Sequence, residues 1–436
     1  MLTRRDWLKA AAAGLVGCTL PPDRLLFPDA DPDQPLQPGP IEPEHAAAAF
    51  EAGETEALLS VWAPAAHRAL PVIEELGGDV QLLGEVFDVV GDLGGTGVGA
   101  LTGLAPGRSY RWHLRFDNGY TTDWYQLRTA PPADQAAPLT LVYSADVDPS
   151  PSYDSPIVDT LAARGADLYV SLGDWPYADN SPAAVTVDDY RAKHREARAM
   201  PRMQPLLHAM SVRAIWDDHE YRNNWDARLV AADPDRAAAA VQVWDEWFPL
   251  FDQSTPRRRY RSWRWGRHAE LFLLDTRMYR SSDTAPDDAD KTMLGAEQKQ
   301  WLIDRVIASD ATFKLVFSTI PLDFGNDNDD WSEFSTERDQ IFAALGAAAV
   351  ERVLWLSADQ HWFEANHHPA GFIEWQVGPL ARAFRAPPPI EDGVVARVTG
   401  VYNYGEVVIT DGDPPVLTFT ARDPDGGALY TETVSG

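Results

Sequence analysis

Leu168-Tyr169-Val170-Ser171-Leu172-Gly173-Asp174-Trp175-Pro176-Tyr177 sets the pattern for the body of the chain. A short apolar run without polar alternation is a strand buried on both faces, which places it inside a layered α/β domain. It stops at Gly-Asp, and the same grammar recurs along the chain. Leu139-Thr140-Leu141-Val142-Tyr143 is followed by Ser144-Ala145-Asp146-Val147-Asp148, and Val212-Arg213-Ala214-Ile215-Trp216 by Asp217-Asp218-His219-Glu220 with Asn223-Asn224 beyond. Leu271-Phe272-Leu273-Leu274 runs into Asp275-Thr276-Arg277, and Phe313-Lys314-Leu315-Val316-Phe317 into Ser318-Thr319-Ile320-Pro321. The last run, Val353-Leu354-Trp355-Leu356, ends in Ser357-Ala358-Asp359-Gln360-His361-Trp362. Ligands of open α/β sheets bind outside the carboxyl ends of the strands, so these polar ends converge on one place.

One Asp at a strand end is usually a turn or helix cap. A series of them, each with an oxygen or imidazole donor, is harder to explain that way. Crowded carboxylates repel and stay protonated unless a cation neutralises them. Hard oxygen donors select hard cations, and a tyrosinate selects a strongly Lewis-acidic one. The chain has only 10 His, few of them in these motifs, so a His-rich dizinc site cannot be assembled.

The order of motifs resembles the calcineurin-like metallophosphoesterases and, more closely, the PhoD-like alkaline phosphatase and phosphodiesterase family. The residues that carry the resemblance are Gly173-Asp174-Trp175-Pro176-Tyr177-Ala178-Asp179, Trp216-Asp217-Asp218-His219-Glu220 with Asn223-Asn224, and Leu274-Asp275-Thr276-Arg277. Leu294-Gly295-Ala296-Glu297-Gln298 with Trp301-Leu302, and Ser357-Ala358-Asp359-Gln360-His361, add to them. The resemblance implies an α/β metallophosphoesterase sandwich, two central mixed β-sheets flanked by helices, over residues 139–434. It also implies a hydrolase of phosphate esters with a dinuclear metal site. Ferric iron would take Asp146, Asp174, Tyr177 and His361; the second metal would take Asp174 as the bridge, with Asp218 and Asp359. The all-oxygen second position favours calcium, or magnesium or manganese. His219 would serve the leaving or transferring oxygen with Glu220 holding its ring. Arg277 would either neutralise a substrate phosphate or steady the site as a buried salt bridge. The chain departs from the family in lacking a cysteine after the first strand, where Asp146 stands instead. Thr319 falls where the superfamily has a histidine, and Asp148 is either a ligand or the cap of the Pro149-Ser150-Pro151 turn. A purple-acid-type phosphatase and a non-catalytic surface lipoprotein with a structural metal site remain as alternatives.

Near these motifs, Trp175, Trp331 and Trp362 are candidates for an aromatic rim or for the core. His367 and His368 fit an exposed hairpin or a further metal site. The acidic stretch 323–330 reads as a solvated insertion or a calcium-binding loop.

Around this centre the organisation is simple. Thr3-Arg4-Arg5-Asp6-Trp7-Leu8-Lys9, with the short apolar run Ala10 to Gly17, resembles a twin-arginine export signal. Leu15-Val16-Gly17-Cys18 resembles a lipoprotein cleavage box, so residues 1–18 are expected to be a targeting segment and Cys18 a lipid anchor at the periplasmic or cell surface. Cys18 is the single cysteine, so no disulfide staples the body. Residues 19–40 read as a tether, and 41–130 as an all-β sandwich of short alternating stretches punctuated by Gly, Asp and Pro. Leu104-Ala105-Pro106-Gly107-Arg108-Ser109-Tyr110 in it resembles the tyrosine corner of fibronectin type III modules. A Pro/Ala linker, 131–138, follows, and the tail after about 398 is expected to add edge strands. With 37 Lys+Arg against 66 Asp+Glu the net charge is −29, a field that repels nucleic acid and anionic membrane faces. A nucleic-acid backbone is therefore disfavoured as a partner, and the resemblance implies a phosphate ester substrate.

Overall fold

The computed structural model describes residues 44–436, apart from 79–80, 154 and 324–328. The export segment, the tether and Cys18 lie outside the described residues. Two mixed sheets face each other across the main core. The larger has nine strands, in the order Ala428–Ser435, Val416–Arg422, Tyr404–Ile409, Leu139–Ser144, Leu168–Ser171, Ser211–Ala214, Ala46–Phe50, Glu56–Trp62 and Thr96–Thr102. The second has seven, in the order Arg261–Trp265, Ala269–Leu273, Phe313–Phe317, Val353–Ser357, Ile373–Gln376, Phe363–His367 and Val394–Val398. All six apolar runs read from the sequence are strands. The three in each sheet are mutually parallel, which brings their carboxyl ends to one edge.

The packing follows from side-chain alternation. In Val353–Ser357, Leu354 and Leu356 face the inter-sheet core, and Val353 and Trp355 face the outer helices Gly295–Ala308 and Ser335–Ala347. Between the sheets, Tyr143 meets Phe317 at 5.9 Å and Trp375 stacks on Phe419 at 4.4 Å. The helix Val187–Arg198 opens on a capping box: Thr186 Oγ1 accepts from Asp189 N, and the Asp189 carboxylate accepts from Thr186 N.

The all-β region pairs the strands Ala46–Phe50, Glu56–Trp62 and Thr96–Thr102 with a second layer of Gln81–Leu83, Arg68–Glu75, Ser109–Phe116 and Tyr125–Arg128. Trp112 and Tyr125 stack at 4.4 Å in its core. Tyr110 Oη accepts from Ala105 N at 2.8 Å, the tyrosine-corner bond of fibronectin-type sandwiches. This layer is continuous with the larger sheet. Phe50 pairs in parallel with Val212, and Glu51 N donates to Val212 O at 3.1 Å.

Of the tail, Tyr404–Ile409 pairs antiparallel with Leu139–Ser144, and the outermost strand is Ala428–Ser435. No helix among the described residues is long and apolar enough to cross a membrane.

Candidate metal centre

The strand ends do meet. Asp146, Asp174, Asp217, Asp218 and Asp359 are all buried, and their carboxylates form an unbroken series with His361 at one end. Ligand atoms of Asp146, Asp174 and His361 lie within 4.8 Å of one another, as do those of Asp174, Asp218 and His219, and those of Asp217, Asp218 and Asp359. Asp174 links the first group to the second, and Asp218 links the second to the third. Asp359 joins the series through Asp218.

The backbone is bent to achieve this. Asp146, Asp174, Asp359 and His361 all have positive φ, at 65°, 54°, 74° and 65°. Asp tolerates this region better than most residues, but each such residue still costs of order 1 kcal/mol or more and persists only where its surroundings impose it. Two glycines make room. A Cβ on Gly173 (φ 92°) would lie 2.3 Å from Asp217 N, and one on Gly378 (φ 110°) would lie 2.5 Å from Asp146 Oδ2. Gly173 thus owes its place in the Gly-Asp motif to the close approach of two strand ends.

At one end, Tyr177 Oη, His361 Nε2 and Asp146 Oδ1 form a triangle with sides of 3.2, 3.3 and 3.3 Å. Edges of that size suit donors about 2.0–2.1 Å from one ion. His361 Nδ1 donates to Ala383 O at 2.5 Å, which leaves Nε2 as the lone-pair nitrogen aimed at the group. Burial, with the charges of Asp174 and Asp146, pushes the Tyr177 phenol well above its ordinary range. Without a cation, then, this tyrosine stays protonated.

Several of the carboxylates report the same frustration, while Asp218, despite burial, is held below its ordinary range by His219 and Arg277. Asp146 Oδ2, Asp174 Oδ2, Asp217 Oδ2 and Asp218 Oδ1 are buried without a hydrogen-bond donor. Burial, then Asp218 and Asp146, pushes Asp174 well up; burial, then Asp217, Asp329 and Asp218, does the same to Asp359. Asp217 is raised to about 6, by burial and Asp218 against the pull of Arg277. Unpaired buried carboxylate oxygens cost several kcal/mol each, and cations are the chemistry that removes that cost. The donor set therefore fits bound metal: one position with a phenol and an imidazole, the others built from carboxylate oxygen with His219 at hand.

The groups around this floor correct several expectations. Arg277 does not reach toward a substrate. It is fully buried, with Nε donating to Asp217 Oδ1 at 2.6 Å and Nη1 and Nη2 donating to Asp329 at 3.2 and 2.7 Å. Asp329 also accepts from Arg280 Nη1 at 2.7 Å, so Arg277 is a positioning residue within a buried ion-pair network. Glu220 does not hold the His219 ring; it accepts from Trp175 N and Asp217 N, both at 3.0 Å, and pins two strand ends together. The ring is held by Asp179, whose Oδ1 accepts from His219 Nδ1 at 2.7 Å, with Nε2 3.9 Å from Asp174 Oδ2. Burial alone would lower this imidazole, but Asp218 and Asp179 raise it to about 9.

Thr319 donates to Asp217 Oδ1 at 2.7 Å and so steadies a carboxylate. Asp148 caps its turn by accepting from Ser150 N at 2.8 Å. Asn224 N donates to Asp218 Oδ2 at 2.5 Å and Asn223 N to Asp179 Oδ2 at 2.8 Å, so this loop contributes backbone amides. Trp175, Trp331 and Trp362 are core. His367 and His368 pair with Glu432 and Asp323 at 2.7 and 2.8 Å, apart from the centre. Of the acidic stretch, Asp329 and Asp330 are buried, and 324–328 lie outside the described residues.

The sequence reading also missed Asp217 and Asp179 as site residues, though both stand in the quoted motifs. It missed Arg382 too, which lies in a loop without a motif; its guanidinium carbon sits 4.1 Å from the Tyr177 ring centroid.

Two facing mixed sheets with a carboxylate-rich centre at their shared edge define a metallophosphoesterase-type layered protein. Comparison makes this specific. The model of the PhoD-like phosphatase family matches residues 153–388, more than half of the chain, and the chain belongs to that family. It is 29% identical over 233 residues to alkaline phosphatase D of Bacillus subtilis (strain 168), a match covering 47% of this chain and 40% of that protein. The chain thus aligns with less than half the length of that relative. A solved PhoD structure superposes with a TM-score of 0.78 at 17% identity, covering 91% of this chain and 90% of the other. The purple acid phosphatase PPD1 from yellow lupin (Lupinus luteus) seeds superposes with a TM-score of 0.67 at 12% identity, over 91% and 74%. Both share the fold.

Proposed function

We propose that the chain is a metal-dependent hydrolase of phosphate esters, an alkaline phosphatase or phosphodiesterase of the PhoD type. The observation that carries this is the buried series of carboxylates whose oxygens lack donors, closed by Tyr177 and His361. Asp146, Asp174, Tyr177 and His361 would hold ferric iron, the ion a phenolate favours. Asp217, Asp218 and Asp359, with Asp174 shared, would hold calcium, or magnesium or manganese. Cations there supply charge to offset phosphoryl oxygens and to acidify water.

The chain's own groups do the rest. Asp179 fixes the His219 ring with Nε2 3.9 Å from Asp174 Oδ2. Nε2 would give its proton to the oxygen of the departing alcohol as water attacks phosphorus in line and the P–O bond breaks, the water's own proton passing to solvent. Arg277 and Thr319 hold Asp217, and Ala383 sets the His361 tautomer. Asp146 in place of a cysteine favours one second reading, a purple-acid-type phosphatase active at lower pH. Residues 1–18 are proposed to direct export through a twin-arginine route, with Cys18 as a lipid anchor.

Purified protein assayed with p-nitrophenyl phosphate and bis-p-nitrophenyl phosphate across pH tests the activity and separates the two phosphatase readings. A visible charge-transfer band, lost in Tyr177→Phe, is expected. A colourless protein that stays inert after incubation with iron and calcium contradicts the proposal.

A further inference from the structure

With Arg277 walled in, a partly exposed cation beside Tyr177 is Arg382. Its backbone is fixed on both sides. The preceding Ala381 forms a parallel bridge with Val147 and exchanges bonds of 2.9 Å with Asp146 O and Asp148 N. The following Ala383 accepts from His361 Nδ1. The side chain lies over Tyr177 and donates through Nη1 to Asp148 Oδ2. Asp148 is itself a well-supplied acceptor, taking Asn180 Nδ2 at 2.7 Å and Ser150 N at 2.8 Å. It therefore pins one edge of the guanidinium. Its guanidinium carbon also lies 5.5 Å from the Tyr153 ring, and among the described residues the bond to Asp148 is the only hydrogen bond the side chain makes.

The metal-type floor is closed to solvent: Asp146 and Asp174 side chains are 0% and 1% exposed. His219 and Arg382 are the more open groups, at 15% and 22%. Both lean on the same aromatic ring, for the His219 ring centroid is 4.2 Å from that of Tyr177. On the reading that His219 serves the departing oxygen, the guanidinium beside the same ring is a neighbour of the alcohol portion of the ester. In a chain of net charge −29, a fixed guanidinium beside that ring is the local feature able to receive an anion.

We infer that Arg382, braced by Asp148 over Tyr177, binds an anionic group on the leaving-group side of the substrate. The preferred substrates are then phosphate esters whose alcohol carries a second negative charge, such as a carboxylate or another phosphate. This rests on the phosphoesterase reading and narrows its substrate class. Asp148 acts by positioning Arg382 and does not touch the ester.

The test compares phenyl phosphate with 4-carboxyphenyl phosphate, which differ by one charge on the leaving group, in the iron- and calcium-supplied full chain. Wild type is expected to favour the carboxylate ester by about tenfold in kcat/KM, chiefly through KM, the worth of one charge-assisted bond. Arg382→Gln should bring that ratio to about one, Arg382→Lys should keep part of it, and Asp148→Asn should lower it. An unchanged ratio in Arg382→Gln overturns the inference. So does an equal fall in kcat for both esters with KM unmoved, which would mean that Arg382 only steadies Tyr177. Failure of the wild type to hydrolyse either ester would sink the phosphoesterase reading itself and this inference with it, whereas turnover of both without charge preference would sink only the inference.

Discussion

Two regions of the larger sheet bury carboxylates in opposite ways. Near the seam with the all-β layer, Glu51 accepts from Arg213 Nη1 at 2.8 Å and from Arg261 Nε and Nη2 at 2.9 and 2.5 Å. Burial pushes Glu51 up, but Arg261 and Arg213 more than offset it, and the carboxyl sits below its ordinary range. At the strand ends, Asp174 is as deeply buried, has an oxygen with no donor and is pushed well up. Arginine satisfies the first site from within the chain. The second is left for something the chain does not contain, and that is the difference between a structural ion pair and a binding centre.

The largest expected effect breaks the comparison at its functional end. Asp174→Asn should lower turnover by at least about 10³-fold, since it removes the carboxylate shared by two donor groups. The same change should raise the thermal midpoint of chelated protein by a few degrees. The sign follows from linkage: a carboxyl raised in the fold contributes stability at low pH that is lost as pH rises above its ordinary range, and an amide escapes that loss. Glu51→Gln should do the reverse, lowering stability by about 3–5 kcal/mol with or without metal, because two arginines lose their partner. Denaturant melts of both variants, with and without chelator, check the contrast.

Asp179→Asn sharpens it further. Losing the carboxylate that holds Nδ1 should cost about 10- to 100-fold in kcat, read by steady-state kinetics, with metal content unchanged.

A smaller effect concerns a second histidine. Burial, then Arg198, lowers His194 to about 3, whereas His219 is raised to about 9. His194 packs against Trp247 and Phe248 with Arg198 as its charged neighbour, so it must stay neutral. Its contribution is complete above the ordinary imidazole range and is lost as pH falls below about 6.5, at about 1.4 kcal/mol per pH unit. His194→Gln should flatten that part of the stability profile between pH 7 and 5.

The strands were legible because a strand buried on both faces has no polar alternation, and the centre because acids recur where such strands stop. Family resemblance then ordered Asp146, Asp174, Tyr177, Asp218, Asp359 and His361. What stayed hidden is direction. Asp275-Thr276-Arg277 does not reveal that Arg277 turns inward to Asp217 and Asp329, nor does His219-Glu220 reveal that the ring's partner is Asp179, forty residues earlier in the chain. Arg382 carries no spacing signal, since only tertiary contact brings it to Tyr177. The junction at Ala46–Phe50 was equally silent: a run of four alanines has little strand propensity, yet burial between its neighbours fixes it there.

Elemental analysis of the purified protein, with its thermal midpoint before and after chelation at pH 7, tests the central claim most directly. At least two metal equivalents per chain, iron among them, and a midpoint that drops on chelation and returns on reloading are expected. A metal-free protein whose midpoint is indifferent to both treatments would contradict the account, because the unpaired oxygens of Asp146, Asp174, Asp217 and Asp218 would then be stable without any cation.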